Sequence, residues 1–237
     1  MSWWDQVFRY CERGSDPSFW AEPLNAISNA AFILAAIAAG VSFVRKPRLE
    51  PAPGVVALIA LVFVIGLGSF LFHTYATRWA AMADVIPIGI FMLSYLGYAL
   101  RTYLKLSWLW VAVGLVIFVA ALQIAGAIDC RPGFFSPASA RGACLNGTGG
   151  YVPAFLAMMG IGAVLALKSH KAGGYLLCAG LVFFASMLFR IVDLELCSET
   201  RIAGGVIGTH FMWHLLNAAT LYLLLMAAVH HGQRIRP

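Results

Sequence analysis

Residues 208–229 read GTHFMWHLLNAATLYLLLMAAV, and this stretch decides how the rest of the chain is understood. It contains no Asp, Glu, Lys or Arg and is long enough to cross the roughly 30 Å hydrocarbon layer of a bilayer as a helix. Inside it, His210 and His214 are four residues apart, so on a helix both imidazoles lie on one face about a turn from each other. Two ring nitrogens converging inside a membrane point to a metal ion. A zinc site requires at least one further protein ligand, and an enzymatic one keeps a position open for water.

The remaining composition agrees with a membrane environment. Of 237 residues, 61% are hydrophobic and 11% charged, and the mean hydropathy is +0.83. A water-soluble domain carries about 25% charged residues. Runs of spanning length occur at 23–44, 54–74, 79–100, 106–127, 151–168, 172–192 and 208–229. The expected fold is therefore all-α, an integral multi-pass bundle of seven transmembrane helices forming one domain over residues 1–237. Residues 1–22 make an N-terminal segment, 230–237 a tail, and 129–150, rich in Gly, Pro and Ser, an irregular loop. Met1 to Phe19 has no apolar run, so the first helix is expected to act as its own insertion signal.

The formal net charge of +6 does not indicate a nucleic-acid partner, because the basic residues sit in short loops and the tail, where membrane topology accounts for them. Loops 1-2, 3-4, 5-6 and the tail carry nine Lys and Arg and a single acid, Glu50; the opposite face carries seven Arg mixed with eight acids. This places the N-terminus outside and the C-terminus in the cytoplasm. Cys11, Cys130, Cys144 and Cys197 all fall on the external face, where disulfides persist. The expected pairs are Cys11 with Cys197 and Cys130 with Cys144, the alternative being unpaired small apolar residues.

Polar residues within the spans are few, and each is a functional candidate because burial in lipid is costly. Ser69 and His73 lie four apart near the outer end of the second helix, and Asp84 lies near the outer end of the third. Together with His210 and His214 they occupy one depth. A lone membrane histidine more often hydrogen-bonds a neighbouring helix, but three histidines and a carboxylate at one level favour a metal. Ser69 could instead bond back to the carbonyl four residues earlier. Gly66 and Gly68 read as close-packing positions, and Trp3, Trp4, Trp20, Trp79, Trp108 and Trp110 as interfacial anchors. On the first helix, Asn25, Ser28 and Asn29 form a stripe suited to interhelical hydrogen bonds. Glu22 lies close to the acid-bearing segment Cys11 to Asp16, which reads either as an oxygen-rich calcium loop or as a solvated charge cluster. Arg190 and Asp193, three apart, are expected to form an ion pair.

Taken in order, Tyr10-Cys11-Glu12, Glu22-Pro-Leu-Asn25 with Ser28-Asn29, Gly68-Ser69 with Phe72-His73, Asp84, and His210 with Trp213-His214 resemble the alkaline ceramidases. These belong to a superfamily of seven-helix membrane hydrolases that includes the adiponectin-type receptors. The resemblance implies zinc held by His73, His210 and His214, with Asp84 and Ser69 beside its water. It also implies a calcium site onto which Glu12 and Glu22 map. Arg9 stands where eukaryotic members place an Asp two residues before the Cys, leaving Asp16 or main-chain carbonyls to complete that set. The family's disulfide maps onto Cys11 and Cys197.

The function expected from this resemblance is hydrolysis of the amide of ceramide-like N-acyl sphingolipids, with Asp84 as general base and Ser69 helping to steady the oxyanion. The lipid would enter from the bilayer, and its head group would meet Asn25, Ser28 and Tyr75 near the external leaflet. The competing expectation is a receptor or sensor in which zinc only braces the helices. A fourth protein ligand would favour the brace and an open position the enzyme. A channel is disfavoured because the inner halves of the second, third and seventh helices are nearly all apolar.

Overall fold

Proline opens three of the helices: Pro23, Pro53 and Pro153 each stand in a first turn, where the missing N–H has no intrahelical partner to lose. In the computed structural model, residues 2–46, 52–130, 144–202 and 204–232 are described. Most of the long loop, 131–143, and the tail from 233 lie outside them, as do Arg48, Glu50, Arg131 and Arg141. Of the described residues 73% are helical, and among them seven helices are long and apolar enough to cross a membrane. It is a multi-pass membrane protein.

The first span is built from α1 (Pro23–Ser28) and α2 (Ala30–Arg45), separated only by Asn29, whose angles remain helical. Then follow α3 (Pro53–Tyr75), α4 (Arg78–Tyr98), α5 (Trp108–Gly126), α6 (Val152–Leu167), α7 (Ala172–Ile191) and α8 (His210–His231). A π-helical turn, Ala99–Tyr103, extends α4 to the end of its span. Two short strands, β1 (Arg201–Ile202) and β2 (Gly205–Val206), pair antiparallel in the connection to α8.

The bundle is arranged around α8, which packs on α7 and α2, while α3 packs on α2 and α4. Small residues let these helices approach: Ala36 and Ala39 of α2, Ala179 of α7, and Ala227 and Ala228 of α8 are all buried. Van der Waals contact of this kind holds helices together in lipid, where burial of apolar surface gives no net drive. By contrast α5 buries only Val111 and Phe118, and its Val116, Ile117 and Ile124 are exposed. That is the exterior of a helix facing acyl chains.

One end of the bundle is covered by the N-terminal segment. Gln6 bridges Thr77, and the Val7 amide donates to the carbonyl of Ala76 at 2.7 Å, so the segment lies across the α3–α4 turn. The Cys11–Cys197 disulfide then fastens it to the connection between α7 and α8. The second disulfide, Cys130–Cys144, is present as well.

The expected Arg190–Asp193 ion pair is not formed; Arg190 turns to the Tyr10 hydroxyl. Asp193 instead accepts three backbone amides, from Cys11 at 3.0 Å, Thr209 at 2.7 Å and His210 at 2.9 Å. The last two are free donors of the first turn of α8, where a carboxylate is favoured by the helix dipole. Burial raises the Asp193 pKa, and those amides offset it in part. Gly208 makes the turn possible: its φ is +63°, and a Cβ there would collide with the Asp193 carboxylate and with Cys11.

Candidate metal centre and hydrolytic site

His73 comes from the last turn of α3, and His210 and His214 from the first turns of α8. The structure brings them together: each offers a ligand atom, and these atoms lie within 4.8 Å of one another. All three side chains are buried, at 1%, 1% and 2% exposure. His73 Nδ1 is 2.6 Å from Glu22 Oε2, which leaves Nε2 as the inward nitrogen, buried and without a partner. His214 Nδ1 donates to Ser28 Oγ at 2.7 Å, whose own hydroxyl proton goes to the Asn25 carbonyl at 2.8 Å. His210 lies flat under Tyr10, with ring centroids 3.6 Å apart and 16° between planes, and its Nδ1 is buried without a partner.

Orphaned buried imidazole nitrogens cost free energy unless something accepts their lone pairs. Three imidazoles, two of them with the outer nitrogen fixed by an oxygen, suit zinc in donor type and number and in having outer partners of the usual kind. Among the described residues no fourth His, Cys, Asp or Glu joins the group.

Asp84 and Ser69 meet beside this cluster. Pro87 has no N–H to offer the carbonyl of Ala83, four residues earlier. That carbonyl points at Gly68, where a Cβ would collide with it. The two backbones therefore touch, and the neighbours of the contact residues, Ser69 and Asp84, come within hydrogen-bonding reach, the hydroxyl donating to the carboxylate. The other carboxylate oxygen, Oδ1, is buried and has no partner.

Ser69, Asp84, His210 and His214 line one end of a cavity of about 280 Å³. Beyond them its walls are mostly apolar, with Ile65, Phe91, Met92, Leu96, Leu176 and Leu224 among them. From Asp84 to Ala99, another wall residue, is about 22 Å along the helix at 1.5 Å per residue. The cavity is thus deep and largely apolar; besides the cluster at one end, its polar lining includes Arg9 and Arg190, and Asn217 and Thr220 further along α8.

Other expectations fare differently. Asn25, Ser28 and Tyr75 are not among the cavity walls. Asn25 is fully buried, giving its amide to Glu22 at 3.1 Å, and Ser28 is spent on His214. Tyr75 is 41% exposed and packs on Phe19 and Trp79. Asn25 and Ser28 thus face Glu22 and His214, and Tyr75 the surface, rather than the cavity.

The calcium expectation does not fit the residues present. Glu12 gives both oxygens to the amides of Leu24 and Asn25, at 2.7 and 2.8 Å, and so caps α1. Burial raises its pKa, and those amides offset it in part. Both oxygens of Glu22 are also taken, Oε1 by Arg13 Nε at 2.6 Å and Oε2 by His73 and Asn25. Burial alone would raise the Glu22 pKa, but the bonds with His73, Arg13 and Asn25 hold it below the ordinary range. Asp16 is exposed and turned to the Ser18 amide at 2.8 Å. A guanidinium lies where a cation would have to sit.

Arg13 and the role of Tyr10 were not read from the sequence. The available signal was an arginine directly after Glu12 in a segment with acids on both sides. Arg190, freed from Asp193, lies over the rings of Tyr10, Tyr151 and Trp213 at 5.0 to 5.6 Å and donates to the Tyr10 hydroxyl at 3.0 Å. Burial pushes the Tyr10 pKa up to about 12, so its hydroxyl stays protonated.

A seven-helix membrane bundle with a buried three-histidine cradle, a half-satisfied aspartate and a largely apolar cavity is an arrangement suited to hydrolysis of a lipid within the bilayer. The family model described as Ceramidase matches residues 9–233, nearly the whole chain, and the protein belongs to the ceramidase family. Membership implies hydrolysis of ceramide or a related lipid. No curated protein matches the chain closely enough to add to this.

Proposed function

We propose that the protein is a zinc-dependent intramembrane amidohydrolase that cleaves ceramide-like N-acyl sphingolipids to a free sphingoid base and a fatty acid. The family supplies the reaction class. The observation that carries the rest is the unpartnered Asp84 Oδ1 of a residue that lines a largely apolar cavity walled also by His210 and His214. Zinc on the three histidines would supply a Lewis acid and a water whose pKa falls to about 7.

The chain's own residues do the rest. Asp84 takes the water's proton as the water oxygen bonds to the amide carbonyl carbon, and returns that proton to the amide nitrogen as the C–N bond breaks, leaving a carboxylic acid and an amine. Ser69 orients Asp84. Glu22 and Ser28 fix the ring orientation of His73 and His214, while Tyr10 and Asp193 hold His210 from its face and its backbone. The apolar walls accept a lipid chain and exclude water from the bond. A zinc that merely braced the helices would call for a fourth ligand.

In this reading the site faces the external leaflet. The distribution of Lys and Arg supports that placement, as do two disulfides at the site's end of the bundle.

The test is hydrolysis of a fluorescent ceramide by purified protein, with metal content measured in parallel. His214→Ala should lose both zinc and turnover. Wild-type protein that is metal-free yet fully active would overturn the proposal.

A further inference from the structure

Arg13 is 3% exposed, and all five of its N–H groups are used. Nε donates to Glu22 Oε1 at 2.6 Å, Nη1 to the carbonyls of Asp16 and Ser18 at 3.1 and 2.7 Å, and Nη2 to those of His73 and Thr74 at 3.0 and 3.2 Å. One carboxylate oxygen and four carbonyl oxygens surround it, from the N-terminal segment, the start of α1 and the last turn of α3. A cage of hard oxygens, part carboxylate and part main chain, is what a protein presents to calcium. Here it is filled by a covalently attached cation. The last-turn carbonyls of α3 also lie at the negative end of a helix dipole, which favours positive charge there.

We infer that Arg13 is a built-in replacement for a dissociable calcium ion, and that the protein orients His73 through the Arg13–Glu22–His73 chain without binding calcium. Arg13 touches neither the cavity nor the reacting atoms; it is a positioning residue. It neutralises Glu22, so that one carboxylate can accept from the His73 ring while buried. It also grips the His73 backbone carbonyl, fixing the ligand at both ends. The inference rests on the reading of His73 as a metal ligand, but its first test does not depend on catalysis.

Equilibrium dialysis of the zinc-loaded wild type against radioactive calcium chloride, up to about 1 mM, the weak end for extracellular calcium sites, should show no stoichiometric binding. The thermal midpoint should not respond to calcium. One calcium bound per chain, or a midpoint that rises with calcium, overturns the inference and leaves the hydrolase reading untouched. Arg13→Ala empties the cage, and its zinc affinity should fall about 10- to 100-fold, the usual cost of losing an outer partner of a metal ligand. Calcium chloride or free guanidinium chloride, at low millimolar concentration, should then restore zinc retention in the variant while doing nothing to the wild type. Rescue by a small cation is not expected of a residue that only fills space. Zinc held by Arg13→Ala as tightly as by the wild type overturns the inference; should that variant fail to fold, dialysis of the wild type decides.

Discussion

Glu22 and Asp84 are two carboxylates on either side of one histidine cluster, 3% and 9% exposed, and they are treated in opposite ways. Glu22 accepts from a guanidinium, an imidazole and an amide, and neither of its oxygens is free. Asp84 has one hydroxyl partner, Ser69, and an oxygen with none. A buried carboxylate is expensive unless paired, so an incomplete one is retained where it has work to do, and here it faces a cavity. In the proposed mechanism the region around Glu22 is scaffold and the region around Asp84 reactive, although one sequence feature, an acid at the end of a span, marks both.

Between the two carboxylates, the larger effect should follow from Asp84→Asn. The amide keeps the shape and the Ser69 contact but cannot take a proton, so turnover should fall by about 10²- to 10⁴-fold, the usual contribution of a general base. Zinc content should be unchanged. Ceramide turnover and metal analysis on the same preparation check this, and a variant working at the wild-type rate would remove Asp84 from the scheme.

Glu22→Gln should give the mirror image. It leaves Arg13 without its counter-charge and weakens the hold on His73 Nδ1, so zinc affinity should fall about 10- to 100-fold. Turnover should recover when zinc is supplied in excess. Titration against a competing chelator measures the first and activity at saturating zinc the second. The same residue predicts acid behaviour. Its folded pKa lies below the unfolded value of 4.5, so its contribution to stability is complete above that value and is lost as pH falls through the folded one. On metal-free protein, the thermal midpoint of Glu22→Gln should fall less steeply with acidification than that of the wild type.

How much of this contrast was legible in the sequence depends on how local each cue was. The seven spans could be read because an apolar run must cross a fixed thickness of lipid. His210 and His214 converge by helical period alone, and His73 and Asp84 join them because depth along an antiparallel bundle follows from counting residues to the helix end. What depth does not give is rotation. Whether Asn25 and Ser28 face the cavity or the back of His214 is set by how α1 turns against α3 and α8, and the sequence is silent on that. The sequence around Asp193 advertises a local partner, Arg190, whereas the amides that bind it belong to Cys11 and to Thr209 and His210 across the disulfide-tied turn. Arg13 escaped for a similar reason, since four of its five acceptors are main-chain carbonyls, which every sequence has and none advertises.

The smallest effects should come from the two serines, and they sharpen the contrast most because they are chemically identical. Ser28 acts on a ligand: its hydroxyl receives His214 Nδ1–H and passes its own proton to Asn25. Ser69 acts on the base, through its bond to Asp84. A single hydrogen bond of this kind contributes about 1 kcal/mol net, or about fivefold in an equilibrium or rate constant. Ser28→Ala should therefore weaken zinc about fivefold and leave turnover at saturating zinc near the wild-type value. Ser69→Ala should leave zinc affinity alone and slow turnover by a similar factor. If the roles are instead shared, so that each variant loses both zinc and rate, then the Glu22 and Asp84 regions form one coupled network. The division between scaffold and reactive carboxylate would then have to be abandoned.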